Sequence, residues 1–176
     1  EDVEPAQLGN WQPADLAAIY AQGLTRPTPT VLVRADGQGL LYPGRTNTIF
    51  GESGAGKTWA LYIAAHQQIA AGHHVIILDY EDDAVAYLNR MIALGLPPGL
   101  VIANSTYYPI GEGATKDDLE AIDALILERD TSFVGIDSTG EAIAAQGWNQ
   151  DKDNEVAMWM GALPRRWARL GPCVCM

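Results

Sequence analysis

Residues 51 to 58, Gly-Glu-Ser-Gly-Ala-Gly-Lys-Thr, match the spacing G-x-x-x-x-G-K-[ST]. They stand between the strand-like stretch Thr46 to Phe50 and a helical pattern that starts at Lys57. Each residue type has a physical task. The glycines, with Glu52, Ser53 and Ala55 between them, let the backbone fold back so that several N–H groups point inward at phosphate oxygens. The following helix aims its positive end at the same place. In that setting Lys57 neutralises the β- and γ-phosphates, and the Thr58 hydroxyl ligates Mg²⁺. Chance yields this pattern in well under about one chain in a hundred of this length and average composition. The spacing therefore implies that Gly51, Gly54, Gly56, Lys57 and Thr58 hold a nucleoside triphosphate.

Two strand-like runs end in acids. Phe133-Val134-Gly135-Ile136 leads into Asp137, which is placed to support Mg²⁺ through its water shell opposite Thr58. Val75-Ile76-Ile77-Leu78 leads into Asp79-Tyr80-Glu81-Asp82. Ligands of parallel sheets gather at the carboxyl ends of the strands, so an acid there can reach the γ-phosphate and orient an attacking water. The competing use of Asp79, Glu81, Asp82 and Asp83 is to cap the next helix, because acids favour helix N-termini. Both uses are expected together, with Asp82 or Asp83 capping and Glu81 facing the nucleotide.

Positioning these groups requires an α/β framework. Pro13 to Gln22 reads as a short helix, followed by an extended segment with two prolines. Thr30–Val33 and Leu40–Tyr42 flank Asp36-Gly37-Gln38-Gly39, whose glycines supply the positive φ of a hairpin turn. Strands are then expected at 46–50, 75–78, 100–103, 133–136 and 173–176, and a loop rich in Tyr, Pro and Gly after 103. Helices are expected at 57–71, 83–94, 117–128 and 155–170, the last kinked or broken at Pro164. This alternation, with almost continuously apolar strands, implies a mainly parallel sheet with helices on both faces. The boundaries are a lead-in over 1–29 and a core over 30–176.

Composition narrows the function. The 176 residues are 48% hydrophobic, as suits one domain with a real core. No stretch is apolar for the length of a membrane helix, and the start, Glu1-Asp2-Val3-Glu4-Pro5, is acidic where a secretory leader would be basic, so a cytoplasmic location without membrane partners is expected. A net charge of −11 argues against general attraction to polyanions. Arg165, Arg166 and Arg169 form the one basic cluster, most simply a solvated helix face. Cys173 and Cys175 share one face of a strand and suit core packing. His66, His73 and His74 are not spaced to complete a metal set.

With these segments in view, the chain resembles the RecA-like P-loop ATPases, and within them the hexameric plasmid and phage replicative helicases of the RepA type. The resemblance runs through residues 51–58, the Asp79–Asp82 corner, the Phe133–Ser138 strand, and Asp151-x-Asp153-Asn154-Glu155-Val156. Leu32 to Gly44 is similar to the segment ahead of the phosphate loop in phage members. The resemblance implies ATP and Mg²⁺ as ligands, Glu81 as catalytic glutamate, Asp137 as magnesium aspartate and Lys57 as phosphate lysine. It further implies a homo-oligomer, by analogy a hexamer, acting on single-stranded DNA in replication or recombination. In the family the strand at 172–176 lies between the phosphate-loop strand and the Asp137 strand and continues to a polar sensor position, followed by DNA-binding loops. A piece lacking those parts would bind ATP better than it turns it over.

Other readings compete. Asp137-x-x-Gly140 and Thr115-Lys116-x-Asp118 look like GTPase motifs, but their order along the chain is reversed, and Thr115 to Asp118 suit a helix start. A small-molecule kinase would need lid arginines. A nucleotide-binding module that docks on a RecA-like partner, with little ATPase of its own, is the non-enzymatic alternative. Trp148 offers base stacking or, more simply, packing, and Trp159 and Trp167 suit a core or an interface.

Overall fold

The computed structural model describes residues 13–24 and 27–176. The acidic start and Arg26 lie outside them. Helix α1 (Leu16–Ala21) is capped by Asp15, whose side chain accepts from the Ala18 N–H at 2.9 Å, and it buries none of its residues. Strands β1 (Val31–Val33) and β2 (Gly39–Leu41) pair antiparallel. Only one of the two turn glycines works as expected. Gly37 takes φ 83°, whereas Gly39 lies within β2, where an added Cβ would sit 2.4 Å from the Pro29 carbonyl oxygen. Close approach, not positive φ, requires that glycine.

Five strands form the main sheet: β3 (Thr46–Asn47), β4 (Val75–Asp79), β5 (Ser105–Pro109), β6 (Phe133–Asp137) and β7 (Cys173–Cys175). Their order is β3-β7-β6-β4-β5, and every neighbouring pair is parallel. The helices are α2 (Lys57–Ala70), α3 (Ala84–Ala93), α4 (Pro98–Asn104), α5 (Lys116–Glu128), α6 (Thr139–Ala145), α7 (Asp153–Ala162) and α8 (Pro164–Ala168). The chain is thus an α/β protein with a parallel sheet between helical layers. No helix among the described residues is long and apolar enough to cross a membrane.

Strand alternation sorts the core into two layers. Val75, Ile77, Phe133, Cys173 and Cys175 pack with Leu61, Tyr62 and Ile69 of α2, Tyr87 and Met91 of α3 and Val101 of α4. Ile76, Leu78, Val134, Ile136 and Val174 pack with Ile122 and Ile126 of α5, Ile143 of α6, Trp159 of α7 and Trp167 of α8. Both cysteines are free and face the α2 layer, as their spacing implied. Gly135 lets α2 close on β6: an added Cβ would lie 2.8 Å from Leu61 Cδ2 and 3.0 Å from Ile77 Cδ1.

Several expected elements differ. Residues 100–103 belong to α4, not to a strand, because Pro97 is extended and Pro98 starts a helix at its preferred first position. Val101 alone is buried there, and Ile102 is 70% exposed. The strand lies one segment later, at β5, where a loop was expected. Its serine, threonine and tyrosines are half-buried on the sheet edge, and it ends at Pro109. Strand β3 is shorter than 46–50, although Ile49 still donates to the Met176 carbonyl at 2.8 Å. Helix α6 was not anticipated. The long last helix breaks at Leu163, ahead of Pro164, into α7 and α8.

Candidate functional site

The glycine-rich loop leaves the carboxyl edge of the sheet after β3 and enters α2. Gly54 and Gly56 have φ 77° and 87°, and an added Cβ at either would meet nothing within 4 Å. Gly56 is the N-cap of α2, so the N–H groups of the first helical turn are directed at the loop. Lys57 Nζ donates to the Gly51 and Glu52 carbonyls, each at 2.9 Å, bending the ammonium over the loop.

Opposite the loop, the parallel register sets Asp79 of β4 beside Asp137 of β6. Asp79 is 1% exposed. Its Oδ1 accepts from the Glu81 N–H at 3.0 Å and the Asp82 N–H at 2.9 Å, and its Oδ2 accepts from the Tyr62 hydroxyl at 2.8 Å. The buried acid therefore shapes the corner, and the exposed acids that follow are aimed by it. Asp83 caps α3 by accepting from the Ala86 N–H at 2.8 Å. Asp82 is not a cap. It accepts from the Asp83 N–H and from Arg90, and both bonds, the backbone one foremost, hold its carboxyl below the usual range. Glu81 lines the cleft beside the glycine-rich loop.

One cleft of about 550 Å³ is lined by Ser53, Gly54, Gly56, Lys57, Thr58, Trp59, Glu81, Arg90, Asp137 and Ser138. It unites Lys57, Thr58, Glu81 and Asp137 from three elements far apart in the chain. Burial pushes the Asp137 carboxyl up, a hydrogen bond from Thr58 lowers it, and the neighbouring charges of Asp79 and Glu81 raise it again. A second cavity of about 390 Å³ borders Gly51, Lys57, Asp137 and Ser138 and reaches Gln150.

Three residues in these spaces are not marked by the sequence reading: Trp59, Arg90 and Gln150. Arg90 lies two helical turns beyond Asp83, on the same face of α3, and its guanidinium stands 5.5 Å from the centre of the Tyr62 ring. The seven-residue spacing from the cap was the available signal. Gln150 comes from the loop before α7 and sits so close to Gly140 that a Cβ there would lie 2.6 Å from its Oε1. Nothing local in the sequence marks that contact.

Other candidates resolve into structure. Thr115 and Asp118 form a capping box at the start of α5, and Gly140 lies inside α6, so of the two GTPase-like motifs only Asp137 faces the cleft. Arg166 pairs with Asp123 of α5 at 2.7 Å. Trp148 packs on the α5–α8 layer, and Trp159 and Trp167 are fully buried. Glu155 accepts from Lys152 Nζ at 2.9 Å and from the Asn149 N–H, which ties the Asn149–Glu155 turn together.

The donor set suits a hard cation carried by phosphate. Mg²⁺ is commonly held by one or two protein groups plus substrate oxygens, and Thr58 and Asp137 offer a hydroxyl and a carboxylate facing one cleft. Among the described residues no group of three or more His, Cys, Asp or Glu converges as a metal site. Neither a protein-family model nor a curated protein matches the chain.

Proposed function

We propose that the chain binds Mg·ATP in the cleft between the Gly51–Thr58 loop and the β4 and β6 ends, and hydrolyses it as a RecA-like P-loop ATPase. The observation that carries this reading is the convergence of Lys57, Thr58, Glu81 and Asp137 on one cleft at the carboxyl edge of a parallel sheet. The sheet order supports it further, because β7 lies between the loop strand β3 and the Asp137 strand β6, as the resemblance implied.

In this mechanism Lys57 exchanges its two carbonyl partners for phosphate oxygens, and the loop N–H groups hold the remaining charge. Thr58 and Asp137 would hold Mg²⁺, which supplies charge neutralisation at the β- and γ-phosphates. Glu81 accepts a hydrogen bond from a water and sets it in line with the bond to the leaving oxygen. That water's oxygen bonds to the γ-phosphorus as the bridge to ADP breaks, and its proton passes to Glu81 or to released phosphate. A place in a hexameric DNA replication or recombination helicase belongs to the same proposal and rests on the resemblance.

The test is an ATP-binding titration beside steady-state phosphate release, with and without single-stranded DNA. Binding with release supports an ATPase. Binding without release favours a regulatory module that docks on a RecA-like partner. Absence of binding, or equal binding by Lys57→Ala, would refute the site.

A further inference from the structure

We infer that Trp59 is the platform on which the base of the bound nucleotide stacks, and that the site accepts purine and pyrimidine triphosphates almost alike. This rests on the proposed nucleotide site and goes beyond it to the part of the ligand that the phosphate loop does not read.

Trp59 directly follows Thr58 and lines the same cleft, yet the residue is 46% exposed. The core-facing stripe of α2 consists of Leu61, Tyr62, Ala64, Ala65 and Ile69, so the indole is not placed by burial. Side chains in a helix lean toward its N-terminus, which tilts a residue of the first turn back over the preceding loop. On that side Gly54 leaves open space, since a Cβ there would touch nothing within 4 Å. The Trp59 N–H is also one of the helix-start donors free to meet phosphate, because the first hydrogen bond of the turn is Ala60 N–H to the Gly56 carbonyl. A triphosphate on those donors puts its sugar and base within reach of the indole.

Base tolerance follows from the lining. Among the described residues the cleft around Trp59 is lined by glycines, Ser53, Lys57, Thr58, Glu81, Arg90, Asp137 and Ser138, the charged ones engaged by the phosphates and their cation in the proposed mechanism, while Gln150, the nearest amide, lines the adjoining cavity instead. Stacking on an aromatic face discriminates little among bases, since each has a π-face.

The experiment compares Mg²⁺ complexes of ATP, GTP, CTP and UTP with inorganic tripolyphosphate, which has no base, on the wild type, Trp59→Ala and Trp59→Phe. Trp59→Ala should weaken all four nucleotides about tenfold and leave tripolyphosphate unchanged, while Trp59→Phe restores most of the loss. Wild-type tryptophan emission should be quenched by ATP and not by tripolyphosphate, and the Trp59→Phe protein should lose that quench. Equal weakening of tripolyphosphate would assign Trp59 a structural role and overturn the inference. Unchanged nucleotide affinity in Trp59→Ala would also overturn it, leaving Trp59 and the neighbouring exposed Ile63 as a contact surface. Tight tripolyphosphate binding in either case leaves the phosphate site standing. No binding of any of the five ligands to the wild type would remove both.

Discussion

The Tyr62 hydroxyl of α2 donates to Asp79 Oδ2 at 2.8 Å, while the other carboxylate oxygen of Asp79 receives the Glu81 and Asp82 N–H groups. One buried contact thus couples the helix that follows the glycine-rich loop to the corner that carries Glu81. Burial and the nearby Asp79 both push the Tyr62 phenol up, so it remains a donor throughout the ordinary pH range.

Tyr62→Phe removes that donor and leaves a buried carboxylate oxygen short of a partner. Hydrogen bonds to charged groups are worth roughly 1.5–3 kcal/mol, so a stability loss of about 2 kcal/mol is expected by chemical denaturation. Phosphate release should fall more than ATP affinity, because Glu81 loses its aim while the loop is untouched. Equal losses in both would indicate general loosening instead.

Glu81→Gln keeps the size and the backbone N–H to Asp79 but offers a poor acceptor for the water proton. Binding of Mg·ATP should stay within about twofold, and single-turnover hydrolysis should drop by roughly 10²-fold or more. Retained hydrolysis would move the role to another acid, with Asp137 the first alternative in the cleft.

Arg90 holds Asp82 and faces the cleft, so among the described residues it is the guanidinium there able to meet a terminal phosphate. Arg90→Ala should weaken ATP by roughly tenfold and ADP much less, as read by competition titration. An equal effect on both nucleotides would reduce Arg90 to a support for Asp82 and Tyr62.

Cys173 and Cys175 are buried in β7, and burial pushes both thiols up to about 12. Neither forms thiolate near neutral pH, so both should resist a thiol reagent in the native protein and react in denaturant. Rapid labelling of the native chain would show that β7 opens readily.

What the sequence disclosed follows from how local each signal is. The 75–79 and 133–137 runs are apolar on both faces and flanked by turn formers, so their strands and acidic ends were visible. Residues 51–58 carry their chemistry in consecutive positions. The 100–103 run reads equally as strand or helix because four apolar residues do not separate the two, and Pro98 at the first helical position is the cue that decides for α4. Strand β5 escaped because edge strands need no apolar pattern; its pairing with β4 supplies the order. The division of labour among Asp79, Glu81, Asp82 and Asp83 depends on Tyr62 and Arg90, which lie 17 and 8 residues from their partners. No spacing rule could state which acid is buried.

At the opposite edge of the sheet, His74 is buried with Nδ1 2.8 Å from the Thr131 hydroxyl and Nε2 3.0 Å from the Thr106 hydroxyl. Burial, aided by the charge of Arg129, lowers its pKa from 6.5 to about 4. Between those values the unfolded chain binds more protons than the folded one, so stability falls as the pH drops through this window and levels off below it. The expected loss is roughly 3 kcal/mol at most. His74→Gln keeps a donor and an acceptor for the two threonines and cannot titrate. Denaturation midpoints followed from pH 7 to 4 should therefore decline less for the variant than for the wild type. Parallel curves would mean that the two hydroxyls solvate an imidazolium in place, and that the acid sensitivity of the fold lies with its carboxylates.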